Sequence, residues 1–127
     1  MSVNQYLIIG AGRFGAAMAE TLSNLGHEVV VVDNDEHAID AVVDKVTHAM
    51  ILDATNEDAL VKLDITGFDT VVVAIGQNLQ ASILATVAAK GAGARHLIGQ
   101  LHAAAPRSYN RGFRGALRDA FIRSRLG

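Results

Sequence analysis

Tyr6-Leu-Ile-Ile-Gly-Ala-Gly-Arg-Phe-Gly15 is a short apolar run followed by a GxGxxG turn. The run predicts a strand, and the apolar spacing after the turn predicts an amphipathic helix. Gly10 allows a tight turn, Gly12 lets the backbone approach a phosphate, and Gly15 lets the helix pack on the strand. The helix start then offers unpaired N–H groups and a positive dipole end to an anion.

Short β-branched runs and helical patterns go on alternating up to about residue 98. The predicted strands cover residues 6–9, 28–32, 48–52, 70–74 and 95–98, and the predicted helices cover residues 14–25, 36–43, 57–63 and 79–90. The valines of the second run indicate burial on both faces, as in a parallel sheet. Strand–helix alternation with short connections predicts an α/β fold, a doubly wound parallel sheet of the Rossmann type.

The composition suits one compact domain. The chain has 127 residues, 50% of them hydrophobic, with a net charge of −2 and no cysteine. The missing cysteine excludes a disulfide framework, a thiolate metal site and a cysteine nucleophile. The apolar runs are of strand length, and the first strand leaves no room for a signal peptide, so we expect a cytoplasmic protein. Nothing in this balance indicates a nucleic-acid partner.

Charge divides the chain near residue 100. Residues 1–100 carry 5 Lys and Arg against 12 Asp and Glu, a net charge of −7, whereas residues 101–127 carry 6 Arg against Asp119, a net charge of +5. We therefore predict a nucleotide-binding domain over residues 1–98 and an atypical basic tail over residues 99–127.

Asp33 ends the second predicted strand, 23 residues after Gly10. A carboxylate at this place accepts hydrogen bonds from ribose hydroxyls and repels a 2′-phosphate, which argues against NADP. Arg13, inside the glycine loop, is placed to meet a terminal phosphate. The alternatives are a structural glycine turn with a solvated aspartate, and an exposed arginine in the first helical turn.

Two more loops follow predicted strands at the edge where doubly wound sheets bind ligands. Asp53-Ala54-Thr55 is placed to meet an adenine edge, and its alternative is a helix-capping turn. In the next loop, Gly76 permits close backbone approach and Asn78 offers an amide to a ribose or phosphate. The alternative there is a small-residue loop that Asn78 caps.

The sequence lacks the groups that catalysis by a dehydrogenase or hydrolase requires. Neither Tyr6 nor Tyr109 has a lysine four residues on, and no GxxxxGK[ST] motif is present. The histidines show no pairing that suggests a proton relay or a metal site, and His27 and His96 are predicted surface or turn residues. We therefore expect no catalytic residue, no metal site and no enzyme activity.

Four segments, in order over about residues 4–98, resemble the RCK domain, which is also called KTN or TrkA-N. The Asp-Ala-Thr and Ala-Ile-Gly-x-Asn loops are more specific to that family than the glycine loop and its acid. The segments are Gly10-Ala-Gly-Arg-Phe-Gly15, Gly26-His-Glu-Val29 leading to Val-Val-Val-Asp33, Asp53-Ala-Thr55, and Val73-Ala-Ile-Gly76 with Asn78 and Gln80-Ala-Ser82.

The resemblance implies a cytosolic regulator that acts at the inner membrane on a potassium channel or transporter subunit. Such domains pair into homodimers, commonly assemble into rings, and sense NAD(H), ATP or ADP. The resemblance places phosphates on the glycine loop, the ribose on Asp33 and the adenine on residues 53–55. The nucleotide-binding residues that it implies are Gly10, Gly12, Arg13, Phe14, Gly15, Asp33, Asn34, Asp53, Ala54, Thr55, Ala74, Ile75, Gly76 and Asn78.

Two other functions stay open from the residues. One is the cofactor-binding domain of an NAD-dependent oxidoreductase that lacks its catalytic part. The other is an interaction protein with a vestigial pocket, in which the basic tail acts.

The tail departs from the family, which has a further helix, a sixth strand and a Pro-Glu pair after it. Three interpretations stay open: a basic arm for anionic lipid or a partner, a divergent helix on the sheet, and a change of reading frame. Suitable codons for Phe121-Ile-Arg-Ser124, read one base earlier, give His-Pro-Glu. We therefore expect the last strand to be missing or altered.

Overall fold

The computed structural model describes residues 3–76 and 78–99. The strands are β1 (Gln5–Ile9), β2 (Glu28–Asp33), β3 (His48–Ile51), β4 (Thr70–Val73) and β5 (Leu97–Gly99). The helices are α1 (Arg13–Asn24), α2 (Glu36–Val42), α3 (Glu57–Lys62) and α4 (Leu79–Gly91). Each predicted strand and helix is present, with ends within two residues of the prediction. A 3-10 turn at Ile65–Gly67 was not predicted.

The five strands form one parallel sheet in the order β3-β2-β1-β4-β5. This is the doubly wound order of the Rossmann fold up to its fifth strand, so the predicted fold class is confirmed. The predicted tail over residues 99–127 begins at Gly99, which ends β5, and the rest of it, with the altered sixth strand, lies outside the described residues. Within the described part of the chain, no helix is long and apolar enough to cross a membrane.

Side chains of the central strand β1 alternate between two cores, one on each face of the sheet. Tyr6 and Ile8 belong to the core that α1 and α2 cover, whereas Leu7 and Ile9 belong to the core that α3 and α4 cover. The β2 valines Val29, Val31 and Val32 are fully buried, as the sequence predicted. Burial on both faces explains why these strands are nearly continuous apolar runs.

Polar side chains begin the helices at the carboxyl edge of the sheet, where β2, β3 and β4 end. Asp35 accepts a hydrogen bond from the His37 amide at 3.0 Å, and Asn56 accepts one from the Asp58 amide at 3.0 Å. The caps at Asp35 and Asn56 thus begin α2 and α3 shortly after β2 and β3 end. At the other edge of the sheet, Gly26, with a φ of 92°, follows the C-cap of α1, where the backbone conformation favours glycine.

His27 is buried, so its predicted surface position was wrong, although it does follow the turn that ends α1. Its Nδ1 atom accepts a hydrogen bond from the Asn4 backbone amide at 3.1 Å. Its ring also meets the Tyr6 ring edge to face, with centroids 5.2 Å apart. A neutral imidazole satisfies a backbone donor here while packing like an aromatic side chain. His96 is exposed, as predicted.

Gly15 joins α1 to the end of β1. A Cβ atom at Gly15 would lie 1.8 Å from the carbonyl oxygen of Gly10, far closer than two such atoms can approach. A Cβ atom at Gly12, three residues earlier, would meet nothing within 4 Å. The two glycines therefore serve different purposes, close packing at Gly15 and an open surface at Gly12.

We expect Gly15→Ala to lower the free energy of unfolding by about 3 kcal/mol or to prevent folding, because the methyl group has no room. Gly12→Ala is the matched control, and it should change that free energy by less than about 1 kcal/mol. Urea unfolding of the two variants and the parent chain measures both effects. Equal stability of the two variants would contradict this account of the packing.

Candidate functional site

Two adjoining cavities open at the carboxyl edge of the sheet, where β1, β2, β3 and β4 end. They share Gly10, Asp33 and Ile75, so they form one continuous site with two halves. The site lies between the loops after β1 and β4, whose following helices cover opposite faces of the sheet. Doubly wound sheets bind ligands at such a switch point.

The first cavity has a volume of about 210 Å³ and is bounded mainly by the loops after β2 and β3. Its lining residues are Ile9, Gly10, Val32, Asp33, Asn34, Leu52, Asp53, Ala54, Thr55, Ile75, Asn78 and Ala81.

The second cavity has a volume of about 580 Å³ and is bounded by the glycine loop and the loop after β4. Its lining residues are Gly10, Gly12, Arg13, Phe14, Asp33, Ala74, Ile75 and Gly76.

The glycine loop bends at Gly10, which has a φ of 112°. Its amide still donates to the Val32 carbonyl oxygen at 2.8 Å, which is the last backbone bond of the β1–β2 pair. A Cβ atom at Gly10 would lie 2.7 Å from the carbonyl oxygen of Ala74. Only glycine therefore suits this position, because both the backbone conformation and the neighbouring strand exclude a side chain.

Asp33 lies where the two cavities meet, and its carboxylate accepts two backbone hydrogen bonds. Oδ2 accepts from the Ala11 amide at 2.7 Å, and Oδ1 accepts from the Asp35 amide at 2.9 Å. A carboxylate has about four lone-pair positions, so two stay available to further donors such as ribose hydroxyls.

Asp53 and Thr55 form a compact hydrogen-bonded turn after β3. Oδ1 of Asp53 accepts from the Thr55 hydroxyl at 2.6 Å and from the Thr55 amide at 3.0 Å. These two bonds hold the pKa of Asp53 below its ordinary value, against a small opposing effect of burial. Because the Thr55 hydroxyl donates its proton to Asp53, both side chains have only acceptor positions left for a ligand.

Asn78 and Arg13 lie at the starts of α4 and α1. Asn78 caps α4, since its Oδ1 accepts from the Ala81 amide at 3.0 Å, and only its Nδ2 group can donate to a ligand. Arg13 is exposed at the first position of α1, whose first turn carries no acidic residue. The capping alternative for Asn78 is thus confirmed, and it is compatible with a ligand contact.

The structure brings together thirteen of the fourteen residues that the resemblance implies, all of them lining one cavity or the other. The exception is Gly15, which lines neither cavity and instead lies against Gly10. Sequence reasoning missed four apolar lining residues, Ile9, Val32, Leu52 and Ala81. The first three lie at or next to the carboxyl ends of strands, and this position in the sequence could have identified them as lining residues.

The two halves differ in charge. The first half carries the carboxylates of Asp33 and Asp53 beside apolar walls, so it suits hydroxyl and amino donors rather than phosphates. The second half shares the Asp33 carboxylate but adds Arg13 and the amino end of a 12-residue helix, which favour an anion. A ligand that suits both halves has a polar, flat donor-bearing part joined to phosphates.

A family model, the TrkA-N domain, matches residues 6–110. Ktr system potassium uptake protein A of Bacillus subtilis (strain 168) is 45% identical over 86 residues, which are 68% of this chain and 39% of that protein. The chain thus spans well under half the length of this relative.

Solved structures share the fold. The NAD(P)-binding domain of an exopolyphosphatase-related protein from Archaeoglobus fulgidus superposes with a TM-score of 0.69 at 20% identity, covering 92% of this chain and 82% of that one. A structure titled GsuK channel bound to NAD superposes with a TM-score of 0.65 at 12% identity, covering 79% of this chain and 18% of that one. At these identities the likeness concerns the fold alone.

We expect Thr55→Val to raise the pKa of Asp53 toward its ordinary value, because the hydroxyl donor is removed and the backbone donor stays. NMR titration of the carboxyl carbon of Asp53 measures this shift. Thr66→Val is the matched control, because the Thr66 hydroxyl bonds to Asp64, in a turn that does not include Asp53.

The lowered pKa of Asp53 also determines how the stability of the fold changes with pH. The charged form is favoured on folding, so the turn stabilises the fold above the ordinary pKa of aspartate and loses this contribution as the pH falls through the lowered value. An Asp53 pKa that is equal in the parent chain and in Thr55→Val would contradict the role of the hydroxyl.

Proposed function

The chain belongs to the TrkA-N domain family, and we propose that it senses an adenine nucleotide and regulates a membrane potassium channel or transporter. The observation that carries this proposal is the pair of adjoining cavities that share Gly10, Asp33 and Ile75. The first cavity has the carboxylates of Asp33 and Asp53, and the second adds Arg13 and the amino end of α1, so together they suit the two ends of one nucleotide. The name of the Bacillus subtilis relative, a potassium uptake protein, supports the link to potassium transport.

The second cavity would hold the phosphates. Gly12 lets the backbone of the loop approach them, since nothing occupies the space that its Cβ would fill. The amino end of α1 and the Arg13 guanidinium would supply donors and positive charge. Phe14 and the segment Ala74–Gly76 would bound this half on its other sides.

The first cavity would hold the ribose and the adenine. Asp33 would accept from the ribose hydroxyls, with Asn34 beside it. The acceptor-only pair Asp53 and Thr55 would face the exocyclic amino group of adenine, which is a donor. A guanine would place a carbonyl oxygen there, opposite a carboxylate, so an adenine base fits the proposal better.

We propose NAD(H), ATP or ADP as the ligand, since all three have an adenosine with an unmodified ribose. The GsuK structure, which is bound to NAD, has the same fold at a TM-score of 0.65, and this supports a dinucleotide among the candidates. Apolar walls at Ile9, Val32 and Leu52 suit the flat base of any of the three.

The proposed mechanism is a shift between conformations of an assembly. A nucleotide that binds one arrangement of paired copies better than another moves the equilibrium by the difference in its affinities, and a partner that contacts the assembly is thereby opened or closed. The chain would act on the cytoplasmic face of the inner membrane through that partner, without catalysing a reaction.

A homodimer is part of this proposal, and an apolar strip on α4 supports it. Leu79, Ile83 and Val87 recur at helical spacing and are 47%, 48% and 64% exposed in the described part of the chain. Exposed aliphatic side chains at this spacing are typical of a helix face that another surface covers.

We expect the purified chain to bind ATP, ADP and NADH, and to bind NADPH at least about tenfold more weakly, because Asp33 repels the 2′-phosphate. Calorimetric titration measures the four affinities. Gly12→Val, whose side chain extends into the second cavity, should weaken all of them, and Lys62→Ala, an exposed change in α3, should weaken none. Equal affinity for NADH and NADPH would contradict the assignment of Asp33.

An assay of NADH consumption with the same protein samples distinguishes a regulator from an oxidoreductase. NADH should stay unconsumed when simple carbonyl acceptors are added, and its absorbance at the reduced nicotinamide band records this. Hydride transfer to any of them would favour the oxidoreductase alternative.

Potassium uptake in the native cell tests the regulatory part. Loss of the gene should slow growth when external potassium is limiting, and high potassium should restore it. The parent gene and Lys62→Ala should complement, whereas Gly12→Val should not. Complementation by Gly12→Val to the level of the parent gene would mean that the site does not control uptake.

A further inference from the structure

Asp33 does more at this edge than face a ribose, because its side chain ties two backbone segments together. The Ala11 amide belongs to the glycine loop after β1, and the Asp35 amide belongs to the turn before α2. One carboxylate thus holds the two loops at 2.7 Å and 2.9 Å.

The hydrogen bond from the Ala11 amide to Asp33 lies where the backbone pairing of β1 and β2 ends. The backbone ladder between β1 and β2 ends with the bond from the Gly10 amide to the Val32 carbonyl. Gly10 then turns the chain, and the next amide along, that of Ala11, bonds to the Asp33 side chain instead of to a strand. Ala11 is 5% exposed, so in the intact chain its amide has the Asp33 carboxylate, rather than bulk water, as its hydrogen-bond partner.

We propose that Asp33 is a positioning residue for the glycine loop, which it fixes in its phosphate-binding shape before any nucleotide arrives. This rests on the proposed function, in which the loop holds phosphates. A carboxylate bonded to two backbone amides cannot rotate freely, so ribose hydroxyls meet acceptor positions that are already directed. Recognition of the ribose and the shape of the phosphate loop thereby depend on the same side chain.

A ribose-only role and a positioning role predict opposite results for a ligand without ribose. Inorganic tripolyphosphate can occupy only the phosphate half. If Asp33 only binds ribose, replacing it removes a nearby negative charge and should tighten tripolyphosphate binding. If Asp33 positions the loop, the replacement should weaken that binding despite the favourable change in charge.

The first experiment needs no ligand. Hydrogen–deuterium exchange of the full chain, followed by NMR, compares Asp33→Ala with the parent chain and with Asp53→Ala. Asp33→Ala should speed exchange of the Ala11 amide by about tenfold or more, as expected for loss of a bond to a charged acceptor. Asp53→Ala is the matched control from the same cavity, and it should expose the Thr55 amide while leaving Ala11 protected.

Asp33→Asn provides a second variant if Asp33→Ala does not fold. Its side chain keeps the shape but has one acceptor oxygen instead of two, so either the Ala11 or the Asp35 amide should lose protection. Unchanged exchange of both amides in the variant that folds would overturn the proposal.

Calorimetry with tripolyphosphate completes the test. Asp33→Ala and Asp33→Asn should weaken its binding by about tenfold, whereas Asp40→Ala, an exposed change in α2 that removes the same charge outside both cavities, should not weaken it. Tighter binding by the Asp33 variants would overturn the positioning role. If the parent chain binds neither ATP nor tripolyphosphate, the proposed function fails, and the exchange of the Ala11 amide still decides whether Asp33 holds the loop.

Discussion

Helix α1 meets the end of β1 through a backbone contact that leaves no space for a side chain. Gly15 lies against the carbonyl oxygen of Gly10, and a Cβ atom there would be 1.8 Å from that oxygen. This approach sets where the helix begins relative to the sheet. Because the helix begins at the carboxyl edge, the donors of its first turn open into the same crevice that the other strand ends border.

The strand order then brings distant parts of the sequence to that crevice. The central strand β1 pairs with β2 on one side and with β4 on the other, although residues 34–69 lie between β2 and β4 in the chain. The helices after β1 and β4 cover opposite faces, so a cleft opens between them. Gly10, Asp33, Asp53 and Ile75 come from four successive strand ends and meet there.

Hydrogen bonds from backbone amides orient the polar side chains of the site. Asp33, Asp53 and Asn78 each accept hydrogen bonds from backbone N–H groups within the loops they belong to or adjoin. These bonds orient the side chains without help from a ligand and leave their remaining acceptors or donors facing the cavities. A nucleotide would therefore bind groups that the fold has already directed, which lowers the entropy lost on binding.

The sequence by itself determined the strands, the helices and the spacing that links Gly10 to Asp33. Local patterns suffice for these because apolar periodicity and capping depend on near neighbours in the chain. Only the tertiary structure decided that Asp33 holds the Ala11 amide and that His27 is buried against Tyr6. Each of these contacts joins residues about 20 positions apart, and its geometry follows from how the strands pair and where the helices pack. A single sequence carries no local signal for such contacts.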